Sequence, residues 1–242
     1  MPPVPFGLDL AFILTTILTL GMLLRVVAAQ YRQALLVAGG PWLLNQAVMA
    51  YTGFYTITDT LPPRFALAIG PPLLALLALL ATARGRRFLD ELPPDRLTLL
   101  HVVRIPVELV LWALYYYQAV PGLMTFEGRN WDILMGLTAP LVYYLAFRRR
   151  WLGPGGLVVW NVVGLLLLGN IVRLGLLSAP GPFQQFSFEQ PNMALMYFPY
   201  VWLPAFVVPV VLLAHVAALW QLRAAHKVGA VSGRETDQTL DN

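Results

Sequence analysis

The chain has 242 residues, of which 58% are hydrophobic and 12% charged, with a formal net charge of +4 and no cysteine. Ordinary soluble domains carry roughly a quarter charged residues, so a single water-soluble core is excluded, and with no cysteine so are disulfides, thiolate metal sites and cysteine nucleophiles. The basic residues stand at the ends of apolar runs rather than in one patch, which argues against nucleic acid as a partner and marks them as topology signals.

A hydrocarbon core of about 30 Å takes about 20 residues per crossing helix, so a chain of this length holds six to eight spans and no separate soluble domain. The N-terminal stretch Met1 to Gly7 has no basic side chain. The apolar run that begins at Leu8 is longer than a signal-peptide core and is read as a retained first helix. The predicted spans are Leu8 to Ala29, Ala34 to Ile57, Phe65 to Ala83, Leu97 to Tyr117, Trp131 to Phe147, Gly156 to Ser178 and Ala194 to Leu222. The second is interrupted by Gly39, Gly40 and Pro41 and contains Asn45 and Gln46, so a re-entrant segment is the alternative there.

Charge parity decides between them. With seven crossings, Arg25, Arg32, Arg84, Arg86, Arg87, Arg96, Arg148, Arg149, Arg150, Arg223, Lys227 and Arg234 fall on one side. Arg64 and Arg129 fall on the other, a split of twelve to two. The expected fold is therefore all-α, a polytopic transmembrane helical bundle of about seven spans over residues 1–228. Its N-terminus is out and its C-terminus in, placing it as a multi-pass protein of the inner or plasma membrane. The polar stretch 229–242 offers no sustained apolar face and is expected to be a disordered cytoplasmic tail.

The fourth span carries the most informative residues. His101, Arg104 and Glu108 are spaced i, i+3, i+7 and share one helix face, which Trp112 and Tyr115 extend. Ionisable side chains in a span cost about 2.5 to 3.5 kcal/mol each on insertion scales, so this face should point into the bundle. Two readings stand side by side: a proton or anion site, or an internal salt bridge that fastens helices. Arg173, with Asn170 one turn before it in the sixth span, needs a partner. Glu108 is the one acid deep in a predicted span, so pairing of Glu108 with Arg104 or Arg173 is expected, with snorkelling of Arg173 to the outer interface as the alternative. Asn161 also lies in the sixth span. His215, in the seventh, lies at a depth similar to that of His101, but no third ligand supports a metal, and neither metal nor cofactor is expected.

The outer connection between the fourth and fifth spans holds Glu127, Arg129, Asn130 and Asp132. These read as the mouth of a binding site near a bundle opening, or as interfacial residues in which Asn130 or Asp132 caps the fifth span. The segments Arg104-Ile105-Pro106-Val107-Glu108 and Met124-Thr125-Phe126-Glu127-Gly128-Arg129-Asn130-Trp131-Asp132 resemble a group of uncharacterised small bacterial polytopic membrane proteins. That resemblance implies a membrane location and no activity.

Inventory removes several function classes. The single lysine, Lys227, lies beyond the last span, so a retinal Schiff base has no anchor. Ser178, Ser187 and Ser232 lack a G-x-S-x-G context, and no H-E-x-x-H or G-x-x-x-x-G-K pattern occurs. What survives is a small carrier or ligand-binding protein using the buried face, or a noncatalytic membrane subunit or assembly factor that uses the face for packing. A membrane enzyme with His101 or Glu108 as acid or base is a third reading, and enzyme status is more expected to be negative. The partners implied are the lipid bilayer, a small-molecule or ion ligand, and another membrane protein. The first class needs a cavity containing Glu108. The second predicts a dry, paired cluster and an exposed partner surface.

Overall fold

The computed structural model of the protein describes residues 2–240, with side chains through residue 224. Among the described residues the chain is helical, with no strand. The tail expected to be disordered over 229–242 lies outside the residues whose side chains are described. In chain order the helices are α1 (Phe6–Val26), α2 (Ala29–Tyr51), α3 (Ala66–Ala81), α4 (Ala83–Asp90), α5 (Pro94–Leu100), α6 (Arg104–Tyr116), α7 (Ile133–Tyr143), α8 (Pro154–Leu177) and α9 (Val208–Leu240).

Prolines set most of the punctuation. Pro94 and Pro154 open α5 and α8, where a missing N–H costs nothing and the fixed φ suits a first turn. Pro106 has no N–H for the Val102 carbonyl, and the chain tightens into a 3-10 turn over His101–Val103 before α6, so that Pro94–Tyr116 runs as one rod. Pro209 likewise leaves the Ala205 carbonyl without its helical donor, in a π-helical turn over Leu203–Val207. Trp42 of α2 supplies the missing bond, its Nε1 donating to that carbonyl at 3.0 Å. Between α3 and α4 the axis bends by 91° at Thr82, whose hydroxyl accepts the Gly85 N–H and so caps α4.

Four helical stretches are long and apolar enough to cross a membrane: Phe6–Val26, Pro94–Tyr116, Pro154–Leu177 and Leu203–Ala224. The bent α3–α4 pair would make a fifth. Large apolar side chains point outward, among them Leu44 at 66%, Leu74 at 66% and Leu166 at 69% exposure, while amide and charged side chains are enclosed. That is the reverse of a water-soluble surface. The remaining two predicted spans are helical but differ in kind. Polar and small residues dilute α2, and α7 with its π-helical end, Ile133–Arg148, is shorter than the four long stretches, about 24 Å at 1.5 Å per residue.

The helix ends gather on two sides. On one, Arg96 donates to the Arg25 carbonyl at 2.6 Å, Gln30 to Glu91 at 3.1 Å, and Trp220 to Asp90 at 2.8 Å. On the other, the N–H groups of Met193 and Ala194 donate to the Ala119 carbonyl, and Asn192 donates its amide to the Gly175 carbonyl. The seventh predicted span needs one correction. It was expected from Ala194, but residues 194–202 form a 3-10 turn and a further turn, because Pro199 and Pro204 cannot donate within a helix there, and the continuous helical stretch begins at Leu203.

Candidate functional site

Of the predicted buried face, His101, Arg104 and Glu108 are 0%, 2% and 1% exposed, so the i, i+3, i+7 spacing placed them correctly inside the helix packing. The 3-10 turn aims His101 at α9, where its ring stacks on His215 with centroids 4.0 Å apart and planes 25° apart. Trp160 lies beside the stack, its ring centroid 5.2 Å from that of His101 and 6.0 Å from that of His215. Gly164 of α8 makes room for this stack, since a Cβ there would overlap the His215 ring and the end of Met135.

Arg104 is the hub. Its Nη1 donates to Asp132 Oδ1 at 2.8 Å, and its Nη2 lies 2.9 Å from His215 Nε2. A guanidinium only donates, so His215 Nε2 must present its lone pair and the ring proton must sit on Nδ1. Nδ1 lies 2.9 Å from Asn161 Oδ1, which accepts it, while Asn161 Nδ2 donates to the Leu157 carbonyl at 2.8 Å. The chain of bonds therefore fixes a neutral His215 in one tautomer.

Glu108 takes a different partner from the one expected. It pairs with neither Arg104 nor Arg173. Instead Asn130 Nδ2 donates to Oε1 at 2.7 Å and Oε2 at 2.6 Å, and also to the Met124 carbonyl at 3.0 Å. The Asn130 carbonyl oxygen accepts the Asp132 N–H at 3.1 Å, so both its amide nitrogen and its oxygen are engaged within the fold. The reason is the short seventh helix. Because α7 begins only at Ile133, the 122–132 connection folds inward and delivers Asp132 to Arg104, an acid that the sequence places at an interface. Gly128 permits the fold, since a Cβ there would overlap the Gly122 carbonyl.

The expected outer mouth divides accordingly. Asn130 and Asp132 are 0% and 5% exposed and belong to the core cluster, whereas Glu127 and Arg129 face outward. Asp132 stands at the N-cap position of α7 with its side chain turned to Arg104 rather than to the helix N–H groups. Arg173 is also corrected: it is exposed, with its guanidinium over the Phe186 ring at 5.6 Å, the snorkelling alternative. Asn170 is partly buried and donates to the Arg129 carbonyl at 2.8 Å, tying α8 to the folded connection rather than joining the cluster.

The cluster thus joins the Pro94–Tyr116 rod, the α7 start, α8 and α9 through side chains alone. It contains one ion pair, Arg104 with Asp132. Both ring nitrogens of His101 and the Nε of Arg104 have no partner among the described residues. No group of three metal-ligating side chains occurs among the described residues. The described cavities are apolar: about 470 Å³ between α3 and the 179–183 turn, about 380 Å³ between α2, α3 and α9, and about 190 Å³ beside Thr98 and Asn161. None of them is lined by Arg104, Glu108, Asp132 or either histidine.

With this geometry in place, the class is a helical protein whose polar groups are turned inward. The chain belongs to the family described as a domain of unknown function (DUF8737), whose model matches residues 62–223 and so contains every member of the cluster while leaving out α1 and α2. No curated protein and no solved structure matches the chain.

Proposed function

We propose that the chain is a multi-pass protein of the cell membrane that crosses seven times, with its N-terminus outside and its C-terminus in the cytoplasm. We further propose that it serves as a noncatalytic membrane subunit or assembly factor. The twelve-to-two division of basic residues supports the orientation. So does the gathering of α1's end, α4's end, α5's start and Trp220 on one side. The observation that carries the functional reading is that Arg104, Asp132, Glu108, Asn130 and His215 are bonded within the cluster and line none of the described cavities, Asn161 alone bordering one. A carrier's binding residues need an opening, and a helix lock does not. In this reading Arg104, Asp132, Asn130, Glu108, His215 and Asn161 fix the relative positions of four spans, and the outward faces meet lipid or partner helices.

One observation favours the carrier reading instead: His101 keeps two unpartnered ring nitrogens, and the cavity of about 190 Å³ reaches Asn161 beside it. An acid–base enzyme draws less support, since Asn130 occupies both oxygens of Glu108, and His215 and Trp160 enclose His101.

Labelling with a lipid-soluble carbodiimide in native membranes, read by peptide mass at Glu108, separates the two leading readings. A lock leaves Glu108 unmodified until the protein is unfolded. Rapid modification of the folded protein, slowed by an added solute, would establish the carrier reading in its place.

A further inference from the structure

The second helix differs from the others in how little of it is enclosed. Only Gln46 and Ala50 of its 23 residues are buried. It is fastened along one side, by Trp42 to the Ala205 carbonyl at 3.0 Å, by the Trp202 indole to the Leu43 carbonyl at 2.9 Å, and by Tyr55 to Gln46 at 2.5 Å. Flanking those anchors, Pro41, Asn45, Val48 and Thr52, spaced i, i+4, i+7, i+11, form one exposed stripe. Asn45 is the anomaly in it. Its amide nitrogen reaches only the thioether of Met49 at 3.4 Å, and its carbonyl oxygen has no partner. Hydrocarbon offers nothing to either group, and an amide left so exposed in a span is a strong reason for helices to associate.

We infer that the α2 stripe is the contact between two copies of this chain, paired through reciprocal hydrogen bonds between their Asn45 side chains. The inference rests on the proposal that α2 crosses the membrane, and it names the partner surface that a subunit requires. Two copies inserted with the same orientation are related by a two-fold axis along the membrane normal. Such an axis sets each residue of α2 opposite itself at the same depth. An amide carries both a donor and an acceptor, so Asn45 complements its own image without any further residue. A different protein would need a matching polar group at that depth, whereas a second copy has one by construction.

The chain has no cysteine, so single-cysteine cross-linking in membranes is free of background. Val48→Cys lies on the stripe, and Leu166→Cys, on α8 and 69% exposed, serves as the control. Oxidation should give a product of twice the chain mass from Val48→Cys and not from Leu166→Cys. Adding Asn45→Leu to the Val48→Cys chain should lower the yield about tenfold, the effect of losing one interhelical hydrogen-bonded contact. Equal yields at the two positions, a yield unchanged by Asn45→Leu, or an adduct of Val48→Cys to another protein would each overturn the inference. Maleimide reaction of Arg32→Cys and Thr52→Cys from opposite sides of the membrane reports independently whether α2 crosses. A failed dimer and a failed span are thereby told apart.

Discussion

Asn130 and Asn45 carry the same side chain and sit in opposite circumstances. Asn130 is fully enclosed, donates to both oxygens of Glu108 and to a main-chain carbonyl, and accepts the Asp132 N–H. Asn45 stands on the outside of α2 with a sulfur atom for company. The amide of Asn130 spends its bonding capacity within the fold, whereas that of Asn45 is left for a surface contact. Stability of the single chain should therefore depend strongly on one and scarcely on the other.

The sharpest way to test that contrast is Asn130→Asp, which removes the donor and sets a carboxylate against Glu108. An uncompensated buried charge costs roughly 3 to 5 kcal/mol, and thermal unfolding in detergent should show a loss of that order. A loss no larger than that of an average surface substitution would show that the folded connection is loosely held. At the other end of the scale, Asn45→Leu should change single-chain unfolding by less than about 0.5 kcal/mol, as expected of an exposed position without bonds inside the fold. A larger destabilisation in detergent-dispersed single chains would mean that Asn45 has a role within the fold.

Much of this helical architecture is legible in the sequence because apolar run length and proline placement dictate it. Long apolar runs and prolines at helix starts mark where helices form, and every predicted run contains a helix. The buried face was legible for the same reason, since 3.6-residue periodicity puts His101, Arg104 and Glu108 together whatever surrounds them. The similar depth of His101 and His215 foreshadowed their stacking. What the sequence hides is how far a connection dips. Nothing local in Arg129-Asn130-Trp131-Asp132 distinguishes a surface loop from one folded inward, so Asp132 reads as a cap and Glu108 as the only candidate counterion. The short α7 was the available signal, and it was masked by an apolar run that extends through Phe147. Asn161 shows the same limit: an asparagine in a span signals a bond, but only the packing of α8 on α9 identifies His215 as its partner.

For the proposed lock built on Arg104 and Asp132, a double-mutant cycle on that pair is the decisive measurement. Arg104→Met and Asp132→Leu should each destabilise by roughly 3 to 5 kcal/mol, because each strands the opposite charge in the core. The double variant should lose much less than the sum, with a coupling free energy above about 2 kcal/mol in equilibrium unfolding. Two nearly neutral single variants whose effects simply add would rule out the lock, since the pair would then be solvated and the core open.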